Sequence, residues 1–319
     1  MDEKNKKSGI FFCILSNVVF AAFVFYWKAL KNVPQYEILA MRIIFTAITG
    51  FIILAITKKL AYAKECLREP KRMMFIAFAG LFIATNWGCY IWGVANGFIL
   101  ECALAQLMTP FMVAVIGVLF FRERPSGFTA ASFAIAAFGV IYMVINYGHF
   151  PFVAITMATT GGAYAAMKKK AKAQPLAGVC LEALTTSPLA IAYLIYVSAT
   201  GGLAMTAEST GIKVLVLLVG AVSLLPLVLM MASQARLDLV IYGIVSYIGP
   251  ILQTMIGVFI YKEAFTVTHV VTFSCIFAAL AVFTIGQLRD KKNAQKAQPT
   301  YDIAKGLDTE SAMESARAK

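Results

Sequence analysis

Ten stretches of about twenty mostly apolar residues follow one another along this chain, near positions 8–30, 35–57, 73–95, 98–121, 127–146, 151–168, 176–198, 212–232, 238–261 and 267–288. A helix rises about 1.5 Å per residue, so each run meets or approaches the length needed to cross a hydrocarbon core roughly 30 Å thick. Lipid offers no water to the backbone, which leaves only helices and closed barrels as spanning structures. A barrel would show alternating segments of about ten residues, and nothing here alternates. The pattern predicts an all-α membrane protein with ten transmembrane helices, the sixth (Pro151 to Lys168) being the shortest. Composition agrees: 60% of the 319 residues are hydrophobic and 14% charged, with mean hydropathy +0.78. Soluble domains carry about 25% charged residues. A soluble enzyme, a disulfide-stapled secreted domain and a disordered chain are therefore excluded.

The net charge of +12 suggests a nucleic-acid binder until its placement is examined. Basic residues fall between the apolar runs and not along one face, which argues against nucleic acid as a partner. With ten spans, one side of the membrane carries Lys4, Lys6 and Lys7, the Lys58–Arg72 loop, Arg122 and Arg124, Lys168 to Lys172, and Arg236: 16 basic residues before the tail. The other side carries only Lys28, Lys31, Lys213 and Lys262. The positive-inside rule then predicts cytoplasmic termini in a cell (plasma or inner) membrane. The segment 1–7 reads as a short cytoplasmic N-terminus entering a span, since the run after it is too long for a signal-peptide core. Residues 289–319 lose hydrophobic periodicity and read as a flexible cytoplasmic tail.

Self-similarity at a spacing of 140 residues divides the membrane region into 8–146 and 151–288. Pro110, Ile116, Gly117, Val118 and Glu123 match Pro250, Ile256, Gly257, Val258 and Glu263, each set in the fourth span of a five-span half. Five is odd, so the second half starts from the opposite side of the membrane, as in inverted-repeat transporters whose substrates bind near midplane. An old duplication kept for packing alone would look the same. Pro110 and Pro250 lie about twelve residues into their spans and are expected to kink them. Each removes the N–H that the carbonyl of Gln106 or Ser246 would otherwise receive, so a hydroxyl, water or substrate must approach there.

Ionisable residues within spans are costly and usually face a cavity or a partner. Lys28, Glu37, Arg42 and Glu101 fall toward the outer side and are expected to form an ion-pair network or an outer gate. Glu182 lies about 9 Å into its span with no basic residue within a turn or two on the same helix. It reads either as a proton or cation site or as a neutral carboxyl that locks helices together. Asn86 and Trp87 sit mid-span, where Trp is not an interfacial anchor; they could line a pocket for an organic molecule or simply pack. Gln106, Tyr164, Tyr247 and Gln253 are weaker cases of the same kind. The run Lys168–Lys170 reads as a topology signal in contact with lipid head groups.

No phosphate-binding loop, HExxH or GxSxG motif is present, so neither ATP-driven transport nor an embedded enzyme is favoured. Six cysteines without a CxxC, together with only His149 and His269, supply no zinc site and imply no cofactor. The expected partners are a small-molecule substrate and membrane lipids. Proton coupling is one role open to Glu182, and the oligomeric state is not readable.

At this level of detail the chain resembles the EamA branch of the drug/metabolite transporter superfamily, and within it the RarD, or chloramphenicol-sensitive protein, subfamily. The resemblance rests on Val33-Pro34-x-x-Glu37-Ile38-Leu39-x-x-Arg42, Asn86-Trp87, Ile91-Trp92-x-Val94 and Leu100-Glu101 leading to Pro110. In the second half it rests on Leu181-Glu182-x-Leu184, Ala235-Arg236-Leu237, Tyr247-Ile248-Gly249-Pro250 and Val271-Thr272-Phe273. One departure is Phe20-Ala21 where the family's first span carries Trp-Gly. The resemblance implies a transporter of small organic molecules, outward in direction, with a central cavity between two EamA-like five-helix repeats. An uncoupled facilitator is the rival within transport, and a non-transporting receptor or scaffold the rival outside it.

Overall fold

The computed structural model describes residues 3–121, 125–146, 148 and 150–289. Arg122, Glu123, Arg124, His149 and the tail 290–319, all used in the sequence reading, lie outside the described residues. The protein is an all-α membrane protein. Its helices are α1 Glu3–Ala29, α2 Gln35–Ile56, α3 Leu60–Leu67, α4 Pro70–Asn96, α5 Ile99–Phe121, α6 Gly127–Asn146, α7 Phe152–Ala171, α8 Pro175–Thr200, α9 Thr210–Gln234, α10 Leu239–Ser246 and α11 Ile248–Met255. A π-turn, Ile256–Ile260, extends α11, and α12 covers Val267–Arg289.

Large side chains such as Ile56, Phe120, Leu189 and Val267 stand exposed on the helix flanks. In water such a surface would aggregate; against acyl chains it is the favourable one. Proline at the first position of α4 and of α8 presets the helical φ where the N–H would be unpaired anyway. Gly97, at φ +86°, ends α4 in a left-handed turn that a side chain would oppose.

Nine helical spans among the described residues are long and apolar enough to cross a membrane. The helix at the sixth run, α7, is not among them, because three threonines, two glycines, Tyr164 and three lysines dilute its hydrophobicity. Its polar character is tolerable because it is packed between α4 and α5, with Val153, Ala154, Met157, Ala158 and Ala166 buried. Around it, α2 lies between α8 and α9, α1 packs on α9 and α11, α4 on α8, and α5 on α11. Contact between α6 and α12 is close enough that a Cβ on Gly139 would come within 2.8 Å of Cys275.

Two glycines bring backbones together near the centre. A Cβ on Gly80 would sit 2.6 Å from the carbonyl oxygen of Glu182, and one on Gly220 would overlap the backbone of Phe45. Small residues are what let membrane helices approach this closely, since van der Waals packing supplies much of their association.

The two repeat prolines act differently. Helix α5 runs unbroken through Pro110, whereas in the ninth run the helical hydrogen bonding lapses for one residue, Tyr247, between α10 and α11, three residues before Pro250, though Tyr247 keeps helical backbone angles. At the lysine-rich end of the bundle, Arg72 closes the C-terminus of α7, donating from Nε to the Ala171 carbonyl (2.9 Å) and from Nη2 to that of Lys172 (2.7 Å). It also pairs with Glu65 and Glu69 at 3.0 and 3.4 Å, which ties α3 to the same corner. A cation at a helix C-terminus meets the negative end of the helix dipole.

Candidate functional site

A hydrogen-bonded seam crosses the interior where α4, α5 and the α10–α11 span meet. Gln106 Nε2 donates to Gln253 Oε1 (2.6 Å), and Gln253 Nε2 donates to the Tyr90 hydroxyl (2.8 Å) and, more distantly, to the Phe20 carbonyl (3.5 Å). Gln253 is fully buried. A buried amide costs free energy unless both its ends are satisfied, and here three residues of the first sequence half satisfy an amide from the second. Tyr247 faces Thr284 on α12.

Next to the seam stands an aromatic group of Phe20, Phe23, Trp87 and Tyr90, with ring centroids 5.6–6.2 Å apart where Trp87 meets the others. Arg42 reaches across from α2 and places its guanidinium 3.7 Å from the centre of the Trp87 ring. Its Nε donates to Ser223 Oγ on α9 at 3.0 Å. Asn86 faces away, donating to the Met157 carbonyl (2.7 Å) and to Thr160 Oγ1 (3.1 Å), and so fastens α4 to α7.

Glu182, on α8, is 4% exposed. It accepts a hydrogen bond from Tyr164 (3.1 Å) and lies 3.5 Å from Lys168 Nζ, and Lys168 in turn donates to the Tyr164 hydroxyl at 2.9 Å. The absence of a basic residue on its own helix is therefore made good by α7, one helix away.

The four residues expected at an outer gate do not converge into one ion-pair cluster. Glu37 accepts from the backbone N–H groups of Ala204 and Met205, both at 2.9 Å, in the short turn Ala204–Ala207. Glu101 accepts from Val153 (3.1 Å) and Ala154 (3.3 Å) at the start of α7. Lys28 donates to the Ala95 carbonyl (3.4 Å) and lies 5.2 Å from the Tyr261 ring, while Arg42 is occupied deeper in the bundle. The physical reason is the unpaired N–H groups at each helix start: a carboxylate satisfies two at once and meets the positive dipole end. Sequence reading missed the third member of this set. Glu263, in the loop before α12, accepts from Ile99 (2.8 Å) and Leu100 (2.9 Å) at the start of α5. The half-buried position of Glu263 pushes its carboxyl above the ordinary value of 4.5, desolvation outweighing those two bonds and the charge of Lys28.

The 140-residue offset also held signals that the Pro-to-Glu pattern did not use. It carries Lys28 to Lys168, Arg42 to Glu182 and Gly80 to Gly220. Lys168 was legible there as more than a topology signal.

Beside this interior lies a cavity of 580 Å³ between the helices α2, α4, α7 and α8, lined by Leu39, Ile43, Thr85, Gly88, Trp92, Thr156 and Tyr193 among others. None of the six residues expected at a substrate cavity lines it; of the six, only Gln106 and Gln253 bond to one another. Trp92, stacked on Phe98 at 5.5 Å, does line it. A second, wholly different space of 310 Å³ lies between α5, α6, α7 and α12 and is apolar, with Thr159 the only polar residue among the described ones that line it. Among the described residues no group of three or more His, Cys, Asp or Glu side chains could hold a metal.

Against known proteins, the chain is 34% identical over 298 residues to the uncharacterized transporter YojE of Bacillus subtilis (strain 168), covering 92% of this chain and 98% of that one. The chain belongs to the EamA-like transporter family. The family model matches residues 7–145. Its RarD branch is marked by Protein RarD of Escherichia coli (strain K12), 26% identical over 296 residues with 93% and 100% of the two chains covered. A solved crystal structure shares the fold of this EamA chain with a TM-score of 0.56 at 17% identity, covering 91% of this chain and 99% of that one.

Proposed function

We propose that this EamA-family, RarD-like protein is a secondary transporter that exports or exchanges a small metabolite or drug by alternating access, with no catalytic activity of its own. The observation that carries the reading is the Gln106–Gln253–Tyr90 seam, a buried polar junction between the two sequence halves. Polar groups near the bilayer midplane where two repeats meet are where transporters of this kind build substrate sites. Trp87, Tyr164 and Tyr247 would complete the surface that opens around a substrate when the halves separate, with Asn86 holding α4 to α7 beside it and Pro110 and Pro250 as the flexing points.

Ten spans arranged as two inverted five-helix repeats, 8–146 and 151–288, fit this mechanism. In support, exchanging spans five apart carries the α4–α7 contact to α1–α9, α5–α7 to α1–α11, and α2–α9 to α4–α8. The basic-residue count supports cytoplasmic termini, and the bacterial relatives favour the plasma membrane. Glu37, Glu101 and Glu263 then fasten the outer end shut, each from one element onto the start of another. Glu182 is the proton or cation site, its release requiring Lys168 to move. If the Lys168–Glu182 pair instead persists throughout the cycle, Glu182 is structural and the protein an uncoupled facilitator.

Purified protein in liposomes, assayed for counterflow of labelled amino acids, nucleosides, polyamines and phenicols, tests the reading. Saturable flux of one compound that Gln253→Ala and Trp87→Ala abolish is the expected result. Protein-dependent flux of none of them would sink the proposal. Flux and pH dependence both unchanged in Glu182→Gln would remove Glu182 from the coupling role alone.

A further inference from the structure

Arg42 is 7% exposed and its Nε–H is taken by Ser223, yet no acceptor for its four terminal N–H groups is found among the described residues. The guanidinium lies on the face of Trp87, and Tyr164 is the nearby titratable group. Among the described residues no carboxylate lies within ion-pair distance of it. Glu182, which the 140-residue offset makes its counterpart in the other half, is engaged by Lys168. Glu37, one and a half turns away on the same helix, has both oxygens on backbone N–H groups.

A buried cation is costly unless it is paired, and one at membrane depth is kept for a function. Structural arginines in membranes are normally satisfied by carboxylates or carbonyls; this one is held by one hydroxyl and an aromatic face, which orient it without neutralising it. Guanidinium is also the side chain whose planar fork of donors fits a carboxylate with two parallel bonds.

Building on the transport reading above, we infer that the substrate of this protein is an organic carboxylate, bound with its anionic group on the terminal nitrogens of Arg42 and its apolar body among Trp87 and Phe20. Both aromatic side chains are only partly buried, so each keeps surface to offer. Ser223 is a positioning residue, fixing the guanidinium plane from α9.

The test uses acid–amide pairs of the same shape: indole-3-acetate with indole-3-acetamide, and benzoate with benzamide. The purified full chain in detergent is followed by thermal shift and by tryptophan fluorescence, then by flux in liposomes. The expected result is that at least one acid binds at least tenfold more tightly than its amide, that Arg42→Gln abolishes this preference, and that Arg42→Lys keeps part of it. An acid preference that survives Arg42→Gln in monodisperse protein overturns the inference. So does equal binding of acid and amide by the wild-type chain, a comparison that needs no variant to fold. Failure of every acid to bind overturns it as well. In that last case saturable flux of a neutral compound, such as a phenicol, would leave the transport reading standing, whereas no flux of any compound would remove both.

Discussion

Replacing Glu263 is the sharpest probe of how the end of the bundle is held. Its two oxygens accept from Ile99 and Leu100 at 2.8 and 2.9 Å. Hydrogen bonds to a charged group contribute about 1.5–3 kcal/mol each, and a carboxylate at a helix start adds about 0.3–1 kcal/mol. Against this stands the cost of keeping a half-buried carboxylate, evident in a pKa raised above 4.5. The net expectation for Glu263→Ala is a loss of about 2–4 kcal/mol, with two donors of α5 left unpaired. Glu263→Gln retains one acceptor and turns an amide N–H toward the other donor, so it loses about half as much.

At about 2–4 °C per kcal/mol, Glu263→Ala lowers the melting temperature in detergent by about 4–16 °C. A raised folded-state pKa means that the contribution from titration is complete below the ordinary value of 4.5 and is lost as pH rises through the folded value. The difference in melting temperature between wild type and Glu263→Gln is therefore larger at pH 4 than at pH 8. A Glu263→Ala protein that melts within 1 °C of wild type, or a wild-type advantage that grows with pH, would refute the reasoning.

Three further outcomes follow from other contacts. Lys168→Met strands Glu182 at 4% exposure without its cation; because the lysine is itself partly open to solvent, the cost is about 1–3 kcal/mol, below that of a fully buried pair, and Lys168→Arg should recover most of it in a melting assay. Gly220→Ala drives a methyl group into the backbone of Phe45 and should cost about 1–3 kcal/mol or more by forcing α9 off α2, whereas Gly211→Ala, with open space around it, should melt like wild type. The Cys66 thiol lies outside the spans and is 1% exposed; burial pushes its pKa above the ordinary 9.0, so it should resist maleimide at pH 7 until the protein is unfolded, and rapid labelling of the folded protein would contradict its placement.

The apolar runs alone determined that the chain is a helical membrane protein, because spanning length and backbone satisfaction in lipid are local requirements that each segment must meet for itself. They also marked the residues worth examining, since any polar group in such a run stands out. The 140-residue offset located Pro110 and Pro250, and used further it would have singled out Lys168 and the Arg42–Glu182 correspondence. What the linear order could not decide is who meets whom. Glu37, Arg42 and Glu101 looked like one ionic cluster because they share a depth, yet the carboxylates went to helix starts 52 and 167 residues away, and Arg42 went to Trp87. Glu182 looked solitary because its cation sits on the next helix. Depth in the membrane is set by position along one helix, which sequence displays; pairing depends on the angle at which each helix presents its side chains to its neighbours, and only the packed bundle sets that.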